Sequence, residues 1–286
     1  MKYFIAAFII LLSVFTSCNR TGGQQEDELY SRHLQRKVKL TIINTPVPAD
    51  KSELNLLIFN DGNEIHKLRL KEILDSLYKK KLITPVVAVA IHAGDRMQEY
   101  GVAGKPDYEG RGSKAEYYSR FIDNELYFYA KKKSGVRKFK SVAIAGCSLG
   151  GLSAFDIAWN HADKIDKVGV FSGSFWWRDK DTKDSSYKDE KNRIMHSVLQ
   201  SSRKRPKLQY WFYCGAAEET SDRDKDGIND VIDDTGDIIT LLKEKKNIAR
   251  EDIVYKESAG AKHDWPYWSE ALPGFLIWAF GRKSDL

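Results

Sequence analysis

The chain of 286 residues carries 46 Lys and Arg against 40 Asp and Glu, a formal net charge of +6. This excess is spread through segments that also hold acids, without a basic-aromatic motif of the nucleic-acid-binding kind, so a nucleic-acid partner is disfavoured. The stretch 36–286 is long enough for one α/β domain with a substantial core, although its length does not exclude two.

The first 17 residues have the pattern of an export signal. Lys2 precedes an apolar run over residues 3–14, and a small-residue site follows at Thr16-Ser17-Cys18. This ending resembles a bacterial lipoprotein signal, in which the cysteine becomes the new N-terminus and carries lipid. We therefore expect Cys18 to anchor an exported protein at a membrane surface, with an ordinary secretory signal or an uncleaved helix as alternatives. The polar residues 18–35 are predicted to form a tether.

Apolar runs and helical patterns alternate along the rest of the chain. Apolar runs predict strands over 38–43, 54–59, 86–91, 142–145, 168–171, 208–213 and 253–255. Helical spacing predicts helices over 68–80, 115–132, 149–161, 189–200, 233–246 and 268–280. This alternation indicates a mostly parallel sheet with helices on both faces, and the shorter early links allow antiparallel pairing at one edge. Cys147 and Cys214 would lie at strand ends with a strand between them, too far apart for a disulfide.

A candidate nucleophile follows the strand predicted over 142–145. The pentapeptide Gly146-Cys147-Ser148-Leu149-Gly150 has the G-x-S-x-G form of a nucleophile elbow. Its glycines allow the strand and the following helix to approach closely, so that the serine hydroxyl stands clear of the sheet. Ser148 is therefore the predicted nucleophile, and an ordinary strand-turn-helix is the alternative.

A base and an acid are expected to follow the serine in the order Ser, acid, His. Among the six histidines, His263 is the preferred base because it lies in a loop between the last strand and the last helix. His92 ends an earlier strand and is the alternative. Glu218 is the preferred acid because it follows the strand over 208–213, and Glu219 and the next aspartates are the alternatives.

An oxyanion hole needs backbone N–H groups aimed at the developing negative charge. Leu149, directly after the nucleophile, supplies one of them. The turn Asn60-Asp61-Gly62-Asn63 follows the strand over 54–59, and the Asn63 N–H is the expected second donor, with a plain Asp-Gly turn as the alternative.

A polar insertion over 178–207 interrupts the alternation of strands and helices, with ten Lys or Arg against five acids. It is expected to be a solvated excursion. Because it leaves the sheet at the carboxyl edge, where α/β sites lie, it is placed to cap a site. Trp176, Trp177 and Trp265 are candidates for an aromatic wall that contacts substrate, with a place in the core as the alternative.

Together these segments resemble the Putative esterase family of α/β hydrolases, which includes enterochelin, feruloyl and acetyl-xylan esterases, S-formylglutathione hydrolase and mycolyltransferases. The resemblance covers roughly residues 31–280. It is carried by Phe59-Asn60-Asp61-Gly62, Ala145-Gly146-Cys147-Ser148-Leu149-Gly150-Gly151, Ser172-Gly173-Ser174-Phe175-Trp176-Trp177 and His263-Asp264-Trp265-Pro266-Tyr267-Trp268, with further matches at 34–38 and 121–126. The resemblance implies an α/β-hydrolase fold, a triad of Ser148, His263 and Glu218, and an oxyanion hole at Asn63 and Leu149. An acidic insertion after Glu218 departs from the family pattern.

That insertion, residues 222–233, has the ligand spacing of an EF-hand calcium loop. Acids stand at positions 1, 3, 5, 9 and 12, a glycine at position 6, and a backbone carbonyl is expected to bind at position 7. The predicted ligands are Asp222, Asp224, Asp226, Ile228, Asp230 and Asp233. The loop resembles the single calcium loops of dockerin-type repeats, and a solvated acidic loop is the alternative. We expect structural Ca²⁺ that steadies the loop of Glu218, and no cofactor for catalysis.

The expected activity is ester hydrolysis through an acyl-enzyme. An exported, anchored esterase favours carbohydrate esters with feruloyl or acetyl groups. Siderophore esters are the second candidate substrate. Transfer to a sugar hydroxyl and a non-catalytic surface binding protein are the remaining alternatives.

Overall fold

The computed structural model of the protein describes residues 22–282, so the predicted signal and Cys18 lie outside the described residues. Eight strands form one twisted sheet: β1 (Gly23–Ser31), β2 (Arg36–Asn44), β3 (Asn55–Phe59), β4 (Val86–Ile91), β5 (Val142–Cys147), β6 (Lys167–Phe171), β7 (Gln209–Gly215) and β8 (Ile253–Ser258). Their order is β1-β2-β4-β3-β5-β6-β7-β8. β2 pairs antiparallel with β1 and β4, and all other pairs are parallel.

Helices cover both faces of the sheet. They are α1 (Leu70–Lys79), α2 (Arg96–Glu99), α3 (Ala115–Phe121), α4 (Tyr127–Ser134), α5 (Leu149–Asn160), α6 (Asp189–Asn192), α7 (Ile194–Ser201), α8 (Asp230–Glu244) and α9 (Trp265–Phe280). A π-helical stretch, Ile122–Leu126, joins α3 to α4, and 3-10 helices occupy Gly62–Leu68 and Arg250–Asp252. Within residues 22–282, no helix is both long and apolar enough to cross a membrane.

Side chains of β5 alternate between two cores, as a strand buried on both faces requires. Val142 and Ile144 pack into the core shared with α3, α5, α7 and α8. Ala143, Ala145 and Cys147 pack into the core shared with α1 and α9. The predicted parallel sheet covered on both faces is therefore confirmed, including its antiparallel edge.

The prediction of a tether over residues 18–35 is wrong for residues 23–31. Residues 23–31 form β1, which pairs with β2 along its full length, from Gly23 with Asn44 to Ser31 with Arg36. Leu29 packs against the core, and Ser31 is buried. The strand is polar because it lies at the edge of the sheet, where charged side chains remain hydrated and discourage pairing with other chains.

The insertion over 178–207 is also more ordered than a solvated excursion. α7 buries Ile194, Met195 and Leu199 in the main core. Arg193, just before α7, is buried and forms ion pairs with Asp234 (2.6 Å) and Asp237 (2.7 Å) of α8. The charge pattern of the insertion did not predict this packing, because the acids that neutralise the buried Arg193 lie about 40 residues further along the chain.

Candidate active site

Ser148 lies at a sharp turn between β5 and α5. Its backbone has φ 53° and ψ −125°, a conformation that a residue with a side chain rarely adopts. A Cβ added to Gly146 would clash with the backbone carbonyl of Gly150, so only glycine allows the strand and the helix to pass this closely. The G-x-S-x-G segment therefore has the strained strand-turn-helix geometry of a nucleophile elbow.

Glu218 and His263 are brought together from the loops after β7 and β8. His263 Nδ1 lies 2.8 Å from Glu218 Oε2. The Glu218 side chain is only 1% exposed, whereas that of His263 is 40% exposed. Glu219 points elsewhere and accepts a 2.8 Å hydrogen bond from the Val231 N–H. The geometry thus pairs His263 with the preferred acid rather than with its neighbour.

A cleft of about 440 Å³ joins the predicted residues at the carboxyl edge of the sheet. Its walls include Ser148, His263, Asn63 and Trp265. Ser148 Oγ lies 3.4 Å from Ser174 Oγ. The alternative base, His92, is held by Thr41 Oγ1 at 2.8 Å, and burial lowers its pKa.

The two expected oxyanion donors stand at the beginnings of helices. Leu149 is the first residue of α5, and Asn63 is the second residue of the 3-10 helix Gly62–Leu68. N–H groups at a helix start have no carbonyl partner within their own helix, so both are free to bind an anion. Gly62 is needed beside them, because a Cβ there would lie 2.8 Å from the Ala90 backbone.

The loop that carries Asn63 is clamped to the elbow by side chains. Asn60 Nδ2 donates to the Gly150 carbonyl at 2.7 Å, and Asn60 Oδ1 accepts from the Tyr118 hydroxyl at 2.8 Å. The Asp61 N–H donates to the Tyr100 hydroxyl at 2.8 Å. These contacts hold the loop against the helix that begins at Leu149, so the two N–H groups keep a constant separation.

Arg96 and Asp61 complete this clamp. Arg96 Nε and Nη2 donate to the two Asp61 carboxylate oxygens at 2.6 and 3.1 Å, and Nη2 lies 3.4 Å from the Cys147 carbonyl. Burial raises the pKa of Asp61, and Arg96 opposes that rise. Sequence reasoning missed both residues as members of the site. Asp61 was marked only as part of the turn before Asn63, and Arg96 only by its position in a loop at the carboxyl edge of the sheet.

Of the three residues of the predicted aromatic wall, only Trp265 is among those that line the cleft. The prediction for Trp177 is wrong: its side chain is 0% exposed, and it packs against Gly101 and Gly112. Trp176 is half-buried beside Trp177 and Arg111 and is not among the residues that line the cleft.

The acidic loop brings three of its predicted ligands together. Carboxylate oxygens of Asp222, Asp224 and Asp226 lie within 4.8 Å of one another. Burial, together with repulsion from Asp226 and Asp224, raises the pKa of Asp233 to about 6. Gly227, at position 6, has φ +92°. The segment that enters the loop is not helical, and α8 begins at position 9.

Asp230 departs from the predicted ligand set. Its Oδ1 accepts from the Arg223 N–H at 2.8 Å, and its Oδ2 accepts from Ser221 Oγ at 2.8 Å. The Arg223 guanidinium lies 3.3 Å from the same carboxylate. Ile228 exposes its side chain beside the loop, and its N–H donates to Asp226 Oδ1 at 2.8 Å.

The mostly parallel sheet, the elbow and the cleft at the carboxyl edge define an enzyme of the α/β-hydrolase class. The model of the family described as "Putative esterase" matches residues 31–279. The chain belongs to this family of esterases, which confirms the resemblance, the fold and the enzyme class predicted from the sequence.

Solved structures share this fold at low sequence identity. The enterobactin esterase FES from Shigella flexneri has a TM-score of 0.67 at 20% identity, over 89% of this chain and 58% of that one. The chain thus spans less than two thirds of that protein. A ferulic acid esterase has a TM-score of 0.67 at 18% identity, covering 92% and 99% of the two chains. The siderophore hydrolase EstB from Aspergillus nidulans has a TM-score of 0.65 at 15% identity, covering 98% and 99%.

Proposed function

We propose that the protein is a serine ester hydrolase that acts through Ser148, His263 and Glu218. The observation that carries this proposal is the strained Ser148 turn, which opens on the same cleft as a histidine paired at 2.8 Å with a buried carboxylate. That pairing holds the imidazole with Nδ1 protonated, so that Nε2 is free to accept a proton.

In the proposed reaction, Ser148 Oγ attacks the ester carbonyl while His263 Nε2 takes its proton. The Asn63 and Leu149 N–H groups bind the oxyanion of the tetrahedral intermediate. His263 then returns the proton to the leaving alcohol, which leaves an acyl group on Ser148. Water, deprotonated by the same imidazole, attacks that acyl group and releases the acid.

The proposed substrates are neutral carbohydrate esters with feruloyl or acetyl groups. The cleft is lined by three carboxylates, Asp61, Glu64 and Asp264, against one guanidinium, Arg96. This excess of negative charge disfavours a polyanionic ligand. A siderophore ester is the second candidate, since the proteins that share the fold include one described as an enterobactin esterase and one described as a siderophore hydrolase.

A substrate panel tests this function. The domain over 22–286 is assayed with p-nitrophenyl acetate, methyl ferulate, acetylated xylan and a catecholate siderophore ester, and a fluorophosphonate labels the reactive serine. We expect the label on Ser148 and the highest kcat/KM on feruloyl or acetyl esters. A highest kcat/KM on the siderophore ester would replace the substrate proposal and keep the mechanism, whereas a label on another residue would overturn the mechanism.

We further propose that the loop over 222–233 binds a structural calcium ion through Asp222, Asp224, Asp226, Asp233 and the Ile228 carbonyl. Carboxylates packed this closely repel one another without a cation, and oxygen ligands suit Ca²⁺. The loop is connected to the turn of Glu218, because Asn229 Nδ2 donates to the Ala216 carbonyl at 3.1 Å. The ion would therefore steady the acid without taking part in the chemistry.

Removal of calcium is expected to lower stability and activity together. At saturating Ca²⁺, a ligand that binds only the folded state raises the Tm by about 5–10 °C for a domain of this size. Calorimetry with calcium and with chelator measures this shift, and an ester assay follows activity. Asp224→Asn is the matched control and should lose most of the calcium response. An equal Tm with calcium and with chelator would contradict the proposal.

The signal pattern over 1–17 supports export, and Cys18 is the proposed lipid anchor at the bacterial envelope. Expression of the full-length chain in bacterial cells grown with radiolabelled palmitate tests this. We expect the label on the wild-type protein and not on the Cys18→Ala control.

A further inference from the structure

We infer that Ser172 and Trp268 are positioning residues for the acid of the triad: together they direct one oxygen of Glu218 away from His263 and present the other to it. This inference rests on the proposed function, because it assigns a role within the same site. Neither residue was a candidate from the sequence pattern.

The hydrogen bonds form an ordered chain. The Trp268 Nε1–H donates to Ser172 Oγ at 2.8 Å. Since that oxygen accepts from the indole, the single hydroxyl proton of Ser172 is left to donate to Glu218 Oε1. The Gly215 N–H donates to the same Oε1 at 2.5 Å. Oε1 thus has two donors, and Oε2 accepts from His263 Nδ1.

The backbone of Ser172 gives an independent reason for its side chain. Ser172 is fully buried and has φ +50°, a region that favours glycine. The next residue, Gly173, does not have a positive φ, so of these two neighbours it is the serine whose backbone conformation favours glycine. Strain of this kind persists where the side chain makes a contact that glycine cannot make. Here that contact is the hydrogen bond from the Ser172 hydroxyl to Glu218.

Trp268 contacts His263 directly and Glu218 through Ser172. Its ring stands edge-on to the His263 ring, with centroids 5.0 Å apart and planes at 83°. Its N–H reaches the acid through Ser172. Trp268 belongs to α9 and is buried in the core that this helix shares with α1, so its ring is held by packing. One rigid side chain therefore limits rotation of the imidazole and orients the carboxylate that binds it.

The physical consequence is a preorganised acid. A carboxylate held by only one hydrogen-bond donor can rotate and present either oxygen to the imidazole. Here two donors bind Oε1 of Glu218, so Oε2 is the oxygen that accepts from His263. The orientation is set before substrate binds, so its loss is expected to lower kcat and leave KM nearly unchanged.

Two variants of Ser172 test the inference. Ser172→Ala removes the hydroxyl, and Ser172→Gly removes it while relieving the positive φ, so the glycine variant is expected to be the more stable of the two. For both, we expect kcat on p-nitrophenyl acetate to fall about tenfold with KM within about twofold. Wild-type kcat in the glycine variant would overturn the inference.

A double-mutant cycle separates positioning from a general structural role. In a Glu218→Gln background, Ser172→Ala is expected to lower the residual kcat less than about twofold, because the residue through which it acts has already been changed. An equal loss in both backgrounds would mean that Ser172 acts through the fold and not through Glu218, and would overturn the inference.

Trp268→Phe keeps the ring against His263 and removes only the N–H donor. We expect it to lower kcat about threefold in the wild type and to add nothing to Ser172→Ala. Trp211→Phe is the matched control, since Trp211 is buried in the same core and its Nε1 has no hydrogen-bond partner in residues 22–282. Loss of activity in Ser148→Ala together with unchanged kcat in Ser172→Gly would reject the positioning role and leave the proposed function intact.

Discussion

The kcat of the Ser148→Ala variant on a simple ester is expected to be about 10⁴- to 10⁶-fold below that of the wild type, the range seen when a triad nucleophile is removed. Without Oγ no acyl-enzyme forms, and the residual rate comes from water attacking an ester held in the oxyanion hole. KM should change little, because the hydroxyl contributes little to ground-state binding. Steady-state kinetics with p-nitrophenyl acetate measures both constants.

Folding of this variant is checked by its Tm. Alanine is strained at the positive φ of residue 148, just as serine is, so we expect the Tm to stay within about 3 °C of the wild type. Ser119→Ala is the matched control: Ser119 is a buried serine hydrogen-bonded to His161 at 2.9 Å, outside the cleft. Equal kcat in Ser148→Ala and wild type would reject the triad and favour a binding protein.

The parts of the fold that could be predicted are those encoded locally. β4 was predicted with the bounds that the structure has, because a strand buried on both faces is a continuous apolar run. The elbow was found because Gly146 and Gly150 lie only two residues from Ser148 in the sequence. Both signals lie within about ten residues, the range over which periodicity and turn chemistry operate.

β1 could not be predicted because its pairing energy comes from β2 and not from its own composition. Gln24, Glu26 and Glu28 read as a polar segment, and only the ladder with β2 makes them a strand. Edge strands of this kind are weakly marked, since one face and one edge stay in water.

Trp177 illustrates a second limit. Adjacent residues of similar character point in different directions, and the choice between them depends on distant backbone. Trp177 enters the core because Gly101 and Gly112 leave room for it: a Cβ on either would lie about 3 Å from its ring. Those glycines are over 60 residues away in sequence, so local patterns could not predict the space that they leave for the Trp177 ring.

The second large effect is expected from Arg96→Ala. Asp61 is 5% exposed and its charge is balanced by the bidentate contact with Arg96. Breaking a buried pair typically costs about 3–5 kcal/mol, and since Arg96 keeps 37% of its side chain exposed to water, we expect a smaller loss, about 2 kcal/mol at neutral pH. The loop that holds Asn63 loosens, and kcat is expected to fall about 10²-fold.

This loss of stability should depend on pH. Burial already raises the pKa of Asp61, and removal of Arg96 takes away the group that opposes the rise. The folded variant then binds a proton more tightly than the unfolded chain, so the penalty is absent below the ordinary aspartate pKa of about 3.9 and grows as pH rises through the folded-state pKa. Urea unfolding at about pH 5 and about pH 7 should therefore show a smaller deficit at the lower pH, relative to wild type.

The double variant Asp61→Asn, Arg96→Ala separates charge from lost packing. Asparagine keeps the shape of Asp61 without a charge to bury, so the double variant should be more stable than Arg96→Ala at neutral pH, and the difference between the two variants should shrink at the lower pH. The kcat of the double variant should stay low, because it still lacks the Arg96 guanidinium that fixed the loop to the Cys147 carbonyl. If Arg96→Ala and the double variant show the same pH-independent deficit, the buried charge of Asp61 is not what Arg96 stabilises.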